Sequence, residues 1–481
     1  MQIQSMHFQA RATEKLADIR LQRNLRRLAD KFVTARAQAM TEIDFEATRE
    51  AAVERRNRAI GRLDLWLEQF EANAIKAGAT VLFAESAAQA SEMVVAIAKQ
   101  HEVKTVTKSK SMVSEEMALN TALAQAGIEP IETDLGEYIL QINDNEAPSH
   151  IIAPVIHKDK EEISDLFSKV HQRPKLSDIP ELTREAREQL RPKFLGADMG
   201  VTGGNFVIAE TGSVALVTNE GNEGMVTIMP RVHVVVTGIE KVLPTLEDFA
   251  TVARLLTRSA TGQSISNYIS LLTGTRAKGE PDGPDHLYFV LVDGGRSSLL
   301  GSEFQDMLRC IRCGACMNHC PVYQKIGGHA YGWVYPGPMG SVLTPAYQGL
   351  ENALDLPQAA TLCGECHVVC PVKIPLPDLL RKLRERQYER HLRPWAERIS
   401  FSLWAYVAVR PPLYRLVASM ASMFLRISGG RRHRVGGLPL ANGWTAYRDL
   451  PTPRGATFSA RYPGWATARS LAKLATSRGP R

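Results

Sequence analysis

The 481-residue chain lacks any uncharged apolar run of about 18 residues, so we expect no simple membrane-spanning helix. Its first residues lead into a charged stretch at 11–27 without the apolar core of a signal peptide. No G-x-G-x-x-G fingerprint follows a predicted strand, and no Ser-His-Asp or Cys-His nucleophile arrangement stands out. These absences favour a cytoplasmic protein with no recognisable flavin or nicotinamide site of its own.

Acidic residues are scarce in the last part of the chain. Residues 398–481 contain 14 Lys and Arg but one acidic residue, Asp449, which gives this segment a charge of +13 and the remainder −6. Such a tail is typical of a surface that docks on an acidic partner, an anionic lipid or nucleic acid, although a solvated surface has the same composition. Nucleic acid is disfavoured, because the tail has no recognisable binding module and the acidic remainder would oppose binding.

Cysteine is absent everywhere except in one stretch of 61 residues. All seven cysteines lie there, as Cys310-x2-Cys313-x2-Cys316-x3-Cys320-Pro321 and Cys363-x2-Cys366-x3-Cys370-Pro371. The first run has the spacing of bacterial ferredoxins, in which the fourth cysteine serves a different iron–sulfur cluster from the first three. The odd count disfavours disulfides, and the x2-x2-x3 spacing disfavours zinc. The pattern therefore predicts two iron–sulfur clusters and an electron-transfer role.

Crossed ligation assigns the seven cysteines to two sites: Cys310, Cys313, Cys316 and Cys370 to cluster 1, and Cys320, Cys363 and Cys366 to cluster 2. Cluster 1 is predicted to be a 4Fe-4S cluster. A regular second motif would begin with a cysteine at the position of Ala360, so cluster 2 has three thiolates. It is either a 3Fe-4S cluster or a 4Fe-4S cluster with a non-cysteine fourth ligand. His367 is nearby, but a histidine in such a loop more often lines it than ligates.

Hydrophobic periodicity predicts four segments along the chain. They are an N-terminal segment of two long helices (1–78, broken near 41–44), an α/β domain (79–297), an α-helical two-cluster ferredoxin-like domain (298–390) and a basic, helical and irregular C-terminal domain (391–481). In the α/β domain, short apolar strands such as 81–83 and 287–292 flank a run in which strands and helices alternate. That alternation is typical of a mostly parallel sheet. A further strand is predicted at 151–156.

Four kinds of local sequence resemble a known family. They are the stretch KSKSMVSEE at 108–116, the stretches TGGNF, AETGS and TNEGN within 202–222, the insert GGHAYGWVYPGP at 327–338, and LCGEC at 362–366, which has no cysteine at position 360. Residues 443–445 and 448–449 add a match in the C-terminal region. Together these stretches resemble the lactate utilisation protein B family, the iron–sulfur subunit of a bacterial L-lactate oxidation system. The resemblance extends over nearly the whole chain.

The resemblance implies a LUD domain, which is related to the sugar-phosphate isomerase and CoA-transferase α/β folds. It also implies two partners, a cysteine-rich subunit and a smaller LUD-domain subunit. We therefore predict the electron-transfer subunit of a system that oxidises L-lactate to pyruvate and lets lactate serve as a carbon source. The alternatives are the iron–sulfur subunit of a glycolate or glycerol-phosphate oxidising complex, which would lack the LUD-like domain, and a nucleic-acid-binding cluster protein.

Two polar stretches are candidate parts of a substrate site. The glycines of 198–224 would let a ligand approach the backbone closely, and 108–111 lies between a strand and a helix, where a lactate-type carboxylate would suit the helix N-terminus. The candidate residues are Lys108, Lys110, Ser111, Asn205, Glu210, Thr211, Asn219, Glu220 and Asn222. The alternative is that these residues build turns and cap an ordinary helix.

The C-terminal region holds two amphipathic stretches, 399–409 and 413–427. A small helical packing unit is the favoured interpretation, and peripheral contact with the inner face of the membrane is the alternative.

Overall fold

The structure is a computed structural model that describes residues 3–437, 445, 448–453, 455 and 457. Its backbone divides into two compact units, Met1–Arg390 and His391–Arg481, which are described separately. The first unit opens with four helices, where the sequence predicts two: α1 (Phe8–Ala17), α2 (Ile19–Met40), α3 (Phe45–Gly61) and α4 (Leu63–Lys76). Each predicted helix is divided once more, at Asp18 and at Arg62. The break predicted near 41–44 is confirmed, because the side chain of Asp44 accepts a hydrogen bond from the Ala47 N–H and caps α3.

Strands and helices alternate from residue 79 to 142, as the apolar pattern predicts, and strands follow one another more closely after residue 199. In chain order the elements are β1 (Ala79–Ala84), α5 (Ala87–Gln100), β2 (Thr105–Lys108), α6 (Met112–Glu116), α7 (Leu119–Gln125), β3 (Glu129–Glu132), α8 (Leu135–Ile142), α9 (Lys160–His171), α10 (Ile179–Leu195), β4 (Met199–Thr202), β5 (Phe206–Ile208), β6 (Ser213–Thr218), α11 (Asn222–Ile228), β7 (Val232–Gly238), β8 (Val242–Leu243), α12 (Leu246–Thr261), β9 (Tyr268–Leu272) and β10 (His286–Val292). This order confirms the predicted α/β class.

The main sheet has six parallel strands in the order β1-β10-β7-β4-β2-β3. At its centre Phe289 of β10 pairs with Val81 on one side and Val235 on the other. Every residue of β7 is buried, since helices cover both faces of a parallel sheet. A second sheet, β8-β5-β6-β9, is mixed: β5 and β8 run parallel, and the other pairs are antiparallel.

The prediction of a strand at 151–156 is wrong. This segment forms turns, and its backbone finds hydrogen-bond partners outside any sheet. Nδ1 of His150 accepts from the N–H groups of Ile152 and Ala153 at 2.9 and 3.1 Å, and the Ser149 N–H donates to the Pro154 carbonyl. The apolar residues therefore serve a packed turn, which sequence periodicity does not distinguish from a strand.

Short helices follow the main sheet: α13 (Ala315–Asn318), α14 (Tyr323–Ile326), α15 (Gly337–Gln348), α16 (Glu365–Val368) and α17 (Leu376–Glu389). The second unit contains α18 (Trp395–Ala408), α19 (Pro411–Gly429) and a two-stranded antiparallel pair, β11 (Arg434–Val435) and β12 (Leu450–Pro451). Positions 443–444, which contribute to the family resemblance noted above, lie outside the described residues. Among the helices that the structure describes, none combines the length and apolar character that a membrane span requires.

Candidate iron–sulfur centre and adjoining cavity

The two cysteine motifs fold into loops with the same backbone pattern. The neighbours of Cys313, Arg312 and Gly314, have φ values of 59° and 75°, and the neighbours of Cys363 have 55° and 91°. A four-residue helix follows in both loops. Left-handed backbone on both sides of a cysteine bends the loop sharply, which brings successive sulfurs towards a common centre. The second loop thus repeats the first, and Ala360 stands where the first loop has Cys310.

Four cysteines from the two motifs line one small cavity: Cys310, Cys313, Cys316 and Cys370. We call this group the cluster 1 site. Its remaining lining is mainly apolar, from Met307, Ile311, Met339, Val372, Ile374 and Leu376. Cys316 is half-buried and the other three cysteines are buried. This is the grouping that crossed ligation requires, and the ligation itself stays a prediction.

The other three cysteines, Cys320, Cys363 and Cys366, form a second group that we call the cluster 2 site. Burial, with smaller contributions from Cys320 and Cys363, raises the pKa of the Cys366 thiol to about 12. Burial and then the charge of Cys363 also raise the pKa of Cys320. Cys370 makes a further, smaller contribution to the pKa of Cys366, so the two sites adjoin each other. Cys363 is exposed and Cys366 half-buried, so this site opens to solvent.

The residues present fit iron–sulfur clusters. Burial, together with the charges of Cys370 and Cys310, raises the pKa of the Cys313 thiol to about 12, and similar causes raise that of Cys316 well above its usual value. A bound metal overcomes this cost, because coordination deprotonates thiols. Backbone N–H groups also face the sulfurs: Tyr323 N lies 3.5 Å from Cys320 Sγ, and Ile374 N lies 3.4 Å from Cys370 Sγ. Such hydrogen bonds accompany and tune protein-bound clusters.

Buried basic side chains from distant parts of the chain hold the cluster 1 loops. All of them donate to main-chain carbonyl oxygens: Arg36 to Val369 (2.9 Å), Arg49 to Cys370 (2.7 Å) and His367 (2.8 Å), Arg56 to Leu308 (2.8 Å), Lys241 to Cys310 (3.0 Å) and Arg309 to Lys373 (3.3 Å). Three of these residues lie on α2 and α3, so the N-terminal helices help to build the centre. Their positive charges also favour a negatively charged cluster in a medium of low dielectric.

A cation also holds the backbone at Ala360, the position where the second motif lacks a cysteine. Arg384 of α17 donates to the carbonyls of Pro357 and Ala360 at 2.9 and 3.0 Å. Nδ1 of His367 lies 3.0 Å from the Ile374 carbonyl oxygen. This contact favours the lining role of His367 over ligation, and the fourth ligand of cluster 2 stays open.

A cavity of about 380 Å³, which we call the sheet-end cavity, lies beside the cluster 1 site. It is bounded by the residues that follow β2 and β4 and by the carboxyl end of β7, and by Ile311 and Arg312 between two cluster 1 cysteines. Five of the predicted substrate residues line it: Lys110, Ser111, Asn205, Asn219 and Glu220. The two polar stretches noted in the sequence therefore meet at one place.

The other four predicted substrate residues have structural partners. Nζ of Lys108 lies 2.6 Å from both Glu132 Oε1 and Asn120 Oδ1. Glu210 accepts from the Leu246 N–H at the start of α12, and Thr211 Oγ1 accepts from Ser213 Oγ. Asn222 donates to Thr133 and Asp134. These contacts suit the turn and pairing interpretation. The cavity-lining candidates have partners as well, since Asn205 Oδ1 accepts from the Val217 N–H and Glu220 Oε2 from the Leu135 N–H.

Sequence reasoning missed other residues of the cavity, namely Ser109, Glu223, Lys241, Thr257 and Arg312. Burial raises the pKa of Glu223 to about 7, and burial with the charges of Glu137 and Glu220 raises that of Asp134 well above its usual value. Ser109 and Glu223 lie inside the two polar stretches, so their sequence positions could have identified them as candidates. Thr257 and Lys241 had no signal, since long-range packing brings them to the cavity.

Comparison with known families gives three matches along the chain. The LUD domain matches residues 67–292, the 4Fe-4S dicluster domain matches 306–374, and the C-terminal domain of lactate utilisation protein B matches 380–477. Among solved structures, a DUF162 family protein from Deinococcus radiodurans aligns with 48% of this chain and 98% of its own, at 16% identity and a TM-score of 0.28. That likeness is too weak to carry an argument.

Curated relatives match over almost their whole length. The "Lactate utilization protein B" of Lysinibacillus sphaericus is 43% identical over 95% of this chain and 97% of its own. The proteins of the same name from Geobacillus kaustophilus and Shouchella clausii are 43% and 42% identical, over 94% and 98% of this chain and 96% and 98% of their own. The chain belongs to the lactate utilisation protein B family.

Proposed function

We propose that this protein is the iron–sulfur electron-transfer subunit of a system that oxidises L-lactate to pyruvate. The observation that carries the proposal is the sorting of seven cysteines into a group of four and a group of three, which suits two clusters. The names of the relatives add lactate utilisation as the process. The LUD match at 67–292 favours lactate over a glycolate or glycerol-phosphate system, which would lack that domain.

The proposed electron path runs from cluster 1 to cluster 2. Cluster 1 is a 4Fe-4S cluster held by the four buried or half-buried cysteines, and cluster 2 is a 3Fe-4S or 4Fe-4S cluster held by the other three. The cluster 1 site adjoins the sheet-end cavity through Arg312, whereas the cluster 2 site includes the exposed Cys363. A cluster beside a cavity suits entry of electrons, and a cluster at the surface suits their exit to a partner.

The proposed partners are a cysteine-rich subunit and a smaller LUD-domain subunit of the same system. The second unit is our candidate docking surface, because its sequence is strongly basic and its helices expose large apolar side chains. Trp395, Val409 and Ile427 are each more than 70% exposed. Electrostatic docking on an acidic partner would weaken with salt. Peripheral contact with an anionic membrane is the alternative that the same surface supports.

Lactate-dependent dye reduction tests this function. We expect no meaningful turnover by the anaerobically purified chain alone, because one-electron centres need a partner or cofactor that accepts two electrons from a 2-hydroxy acid. The reconstituted complex should be active, and a variant truncated before Arg398 should lose part of that activity. Robust turnover by the isolated chain would contradict the subunit proposal, and full activity of the truncated complex would remove the docking role.

A further inference from the structure

The sheet-end cavity has the position of a ligand site. In open α/β sheets, ligands bind beyond the carboxyl ends of the parallel strands, where loops diverge. Here Ser109 follows β2, Gly203 follows β4 and Thr237 lies at the end of β7, and all three line the cavity. Its volume of about 380 Å³ is within the range of small-molecule sites. The cavity therefore has both the place and the size for a small organic molecule with bridging water.

Three buried polar groups in this cavity lack a hydrogen-bond partner among the described residues. They are Ser109 Oγ, Thr257 Oγ1 and Glu223 Oε2. The three residues are 2%, 6% and 9% exposed. Buried polar groups in folded proteins are nearly always hydrogen-bonded, and leaving one unsatisfied costs about 1–3 kcal/mol. Their common position indicates that a polar ligand or ordered water completes them.

Basic groups mark the end of the cavity nearest the cluster 1 site. Nζ of Lys241 donates to the carbonyl of Cys310 and keeps further donor capacity. The guanidinium of Arg312 lies 4.6 Å from the centre of the Tyr335 ring and 3.4 Å from Glu240 Oε1. Glu240 is shared with Arg296, at 2.6 Å, so it neutralises the cations only in part. Burial, with the charge of Arg312, lowers the pKa of Lys241 to about 7. Arg312 therefore supplies the lasting positive charge, and a guanidinium with spare donors suits a carboxylate.

The lining of the cavity also includes several carboxyl groups. Burial raises the pKa of Asp134, Glu220 and Glu223, because it disfavours the charged form of each carboxyl group. Lys110 is paired with Glu137 at 2.8 Å. The cavity thus combines the guanidinium of Arg312 with buried hydroxyl and carboxyl groups, an arrangement that suits a molecule with one carboxylate and one hydroxyl or carbonyl oxygen.

We propose that the sheet-end cavity binds a small organic acid of the 2-hydroxy or 2-oxo class. Its carboxylate faces Lys241 and Arg312, and its second oxygen faces the unpartnered groups of Ser109, Thr257 and Glu223. This assignment rests on the proposed function for the choice of acid class, and it concerns binding alone. It places the acid beside the loop that joins two cluster 1 cysteines.

Direct binding tests this site in the full-length, anaerobically purified holo-protein without turnover. Saturable broadening of the L-lactate and pyruvate NMR signals is expected, and acetate, which lacks the second oxygen, should bind at least several-fold more weakly. Thr257→Val and Ser109→Ala should each weaken L-lactate binding by about tenfold, the effect of losing one buried hydrogen bond. Thr251→Val, on the same helix but hydrogen-bonded to the Glu247 carbonyl, is the matched control and should bind as the parent does.

Arg312→Gln is a second probe, with the iron content measured on the same sample. If the Arg312→Gln variant retains its iron, its affinity for L-lactate should fall, and its affinity for acetate should fall as well. If iron is lost, the Ser109 and Thr257 variants still decide the matter. The proposed site would be overturned if the parent, Ser109→Ala and Thr257→Val bound L-lactate with equal affinity. It would also be overturned if neither L-lactate nor pyruvate bound saturably, which would leave water as the occupant of the cavity. Binding without electron delivery in the complex would instead contradict the proposed function alone.

Discussion

The two cysteine loops share a backbone pattern and differ in their surroundings. The loop that begins at Cys310 is buried and its site draws four cysteines, whereas the loop around Cys363 is exposed and its site draws three. Basic residues from α2, α3 and the main α/β domain donate hydrogen bonds to main-chain carbonyls at the cluster 1 site. At the other site, Arg384 of α17 donates to the Ala360 carbonyl. One local motif has thus been placed in two environments, and these differ in burial and in the number of cysteines that they bring together.

Removing single cysteines gives the largest expected effect and tests the crossing itself. Cys370→Ser, although it changes the second motif, should abolish cluster 1, because Cys370 lines the cluster 1 cavity. Cys363→Ser should abolish cluster 2 and leave about four irons per chain, from a starting value of about seven to eight. Iron and sulfide analysis with electron paramagnetic resonance measures both. Loss of the cluster 1 signal in Cys363→Ser would reverse the assignment.

Air should damage the two centres at different rates. The cluster 2 site has three thiolates and an exposed cysteine, so oxidant reaches an iron that no described cysteine protects. We expect a three-iron signal to appear on exposure to air while the cluster 1 signal persists. The control is the same sample held without oxygen. Equal loss of both signals would show that burial does not distinguish the sites.

Replacing a buried cation should lower the reduction potential of the nearer cluster and leave the potential of the other cluster largely unchanged. Arg49→Gln removes a positive charge that donates to the carbonyls of Cys370 and His367, so the reduced form of cluster 1 should become less favourable. Potentiometric titration should show a lower potential for cluster 1. Arg384→Gln, which removes the cation that donates to the Ala360 carbonyl, is the matched variant and should change the potential of cluster 2 more. The same shift in both variants would remove the distinction between the two sites.

The smallest effect on the centres is expected from a surface change next to cluster 2. Val368 lies in that loop and is 59% exposed. Val368→Asp should leave iron content and both cluster signals unchanged but slow electron delivery to the partner several-fold, because a buried interface disfavours an unpaired charge. Val170→Asp, at an exposed position on α9, is the control. Unchanged delivery in Val368→Asp would argue against exit of electrons at this surface.

Local patterns predicted the parts of this protein that depend on short stretches of chain. The spacing from Cys310 to Cys320 identified iron–sulfur chemistry, the break at 41–44 located a helix cap, and the strands near 81–83 and 287–292 gave the α/β class. The segment 151–156 shows the limit of such patterns. Its apolar residues looked like a strand, but the His150 side chain satisfies the backbone and holds a turn.

The cysteine spacing alone predicted two iron–sulfur clusters, one of them with three thiolates, because ligand identity and spacing are local properties. Tertiary structure alone decided that Arg36 and Arg49 reach the cluster 1 loops, and that Ser109 and Thr257 face one cavity with Arg312. These residues are far apart along the chain, and none belongs to a motif that names its partner. Their meeting follows from the packing of helices and sheet around a common core, which buries their charges and hydroxyls where only specific partners can satisfy them.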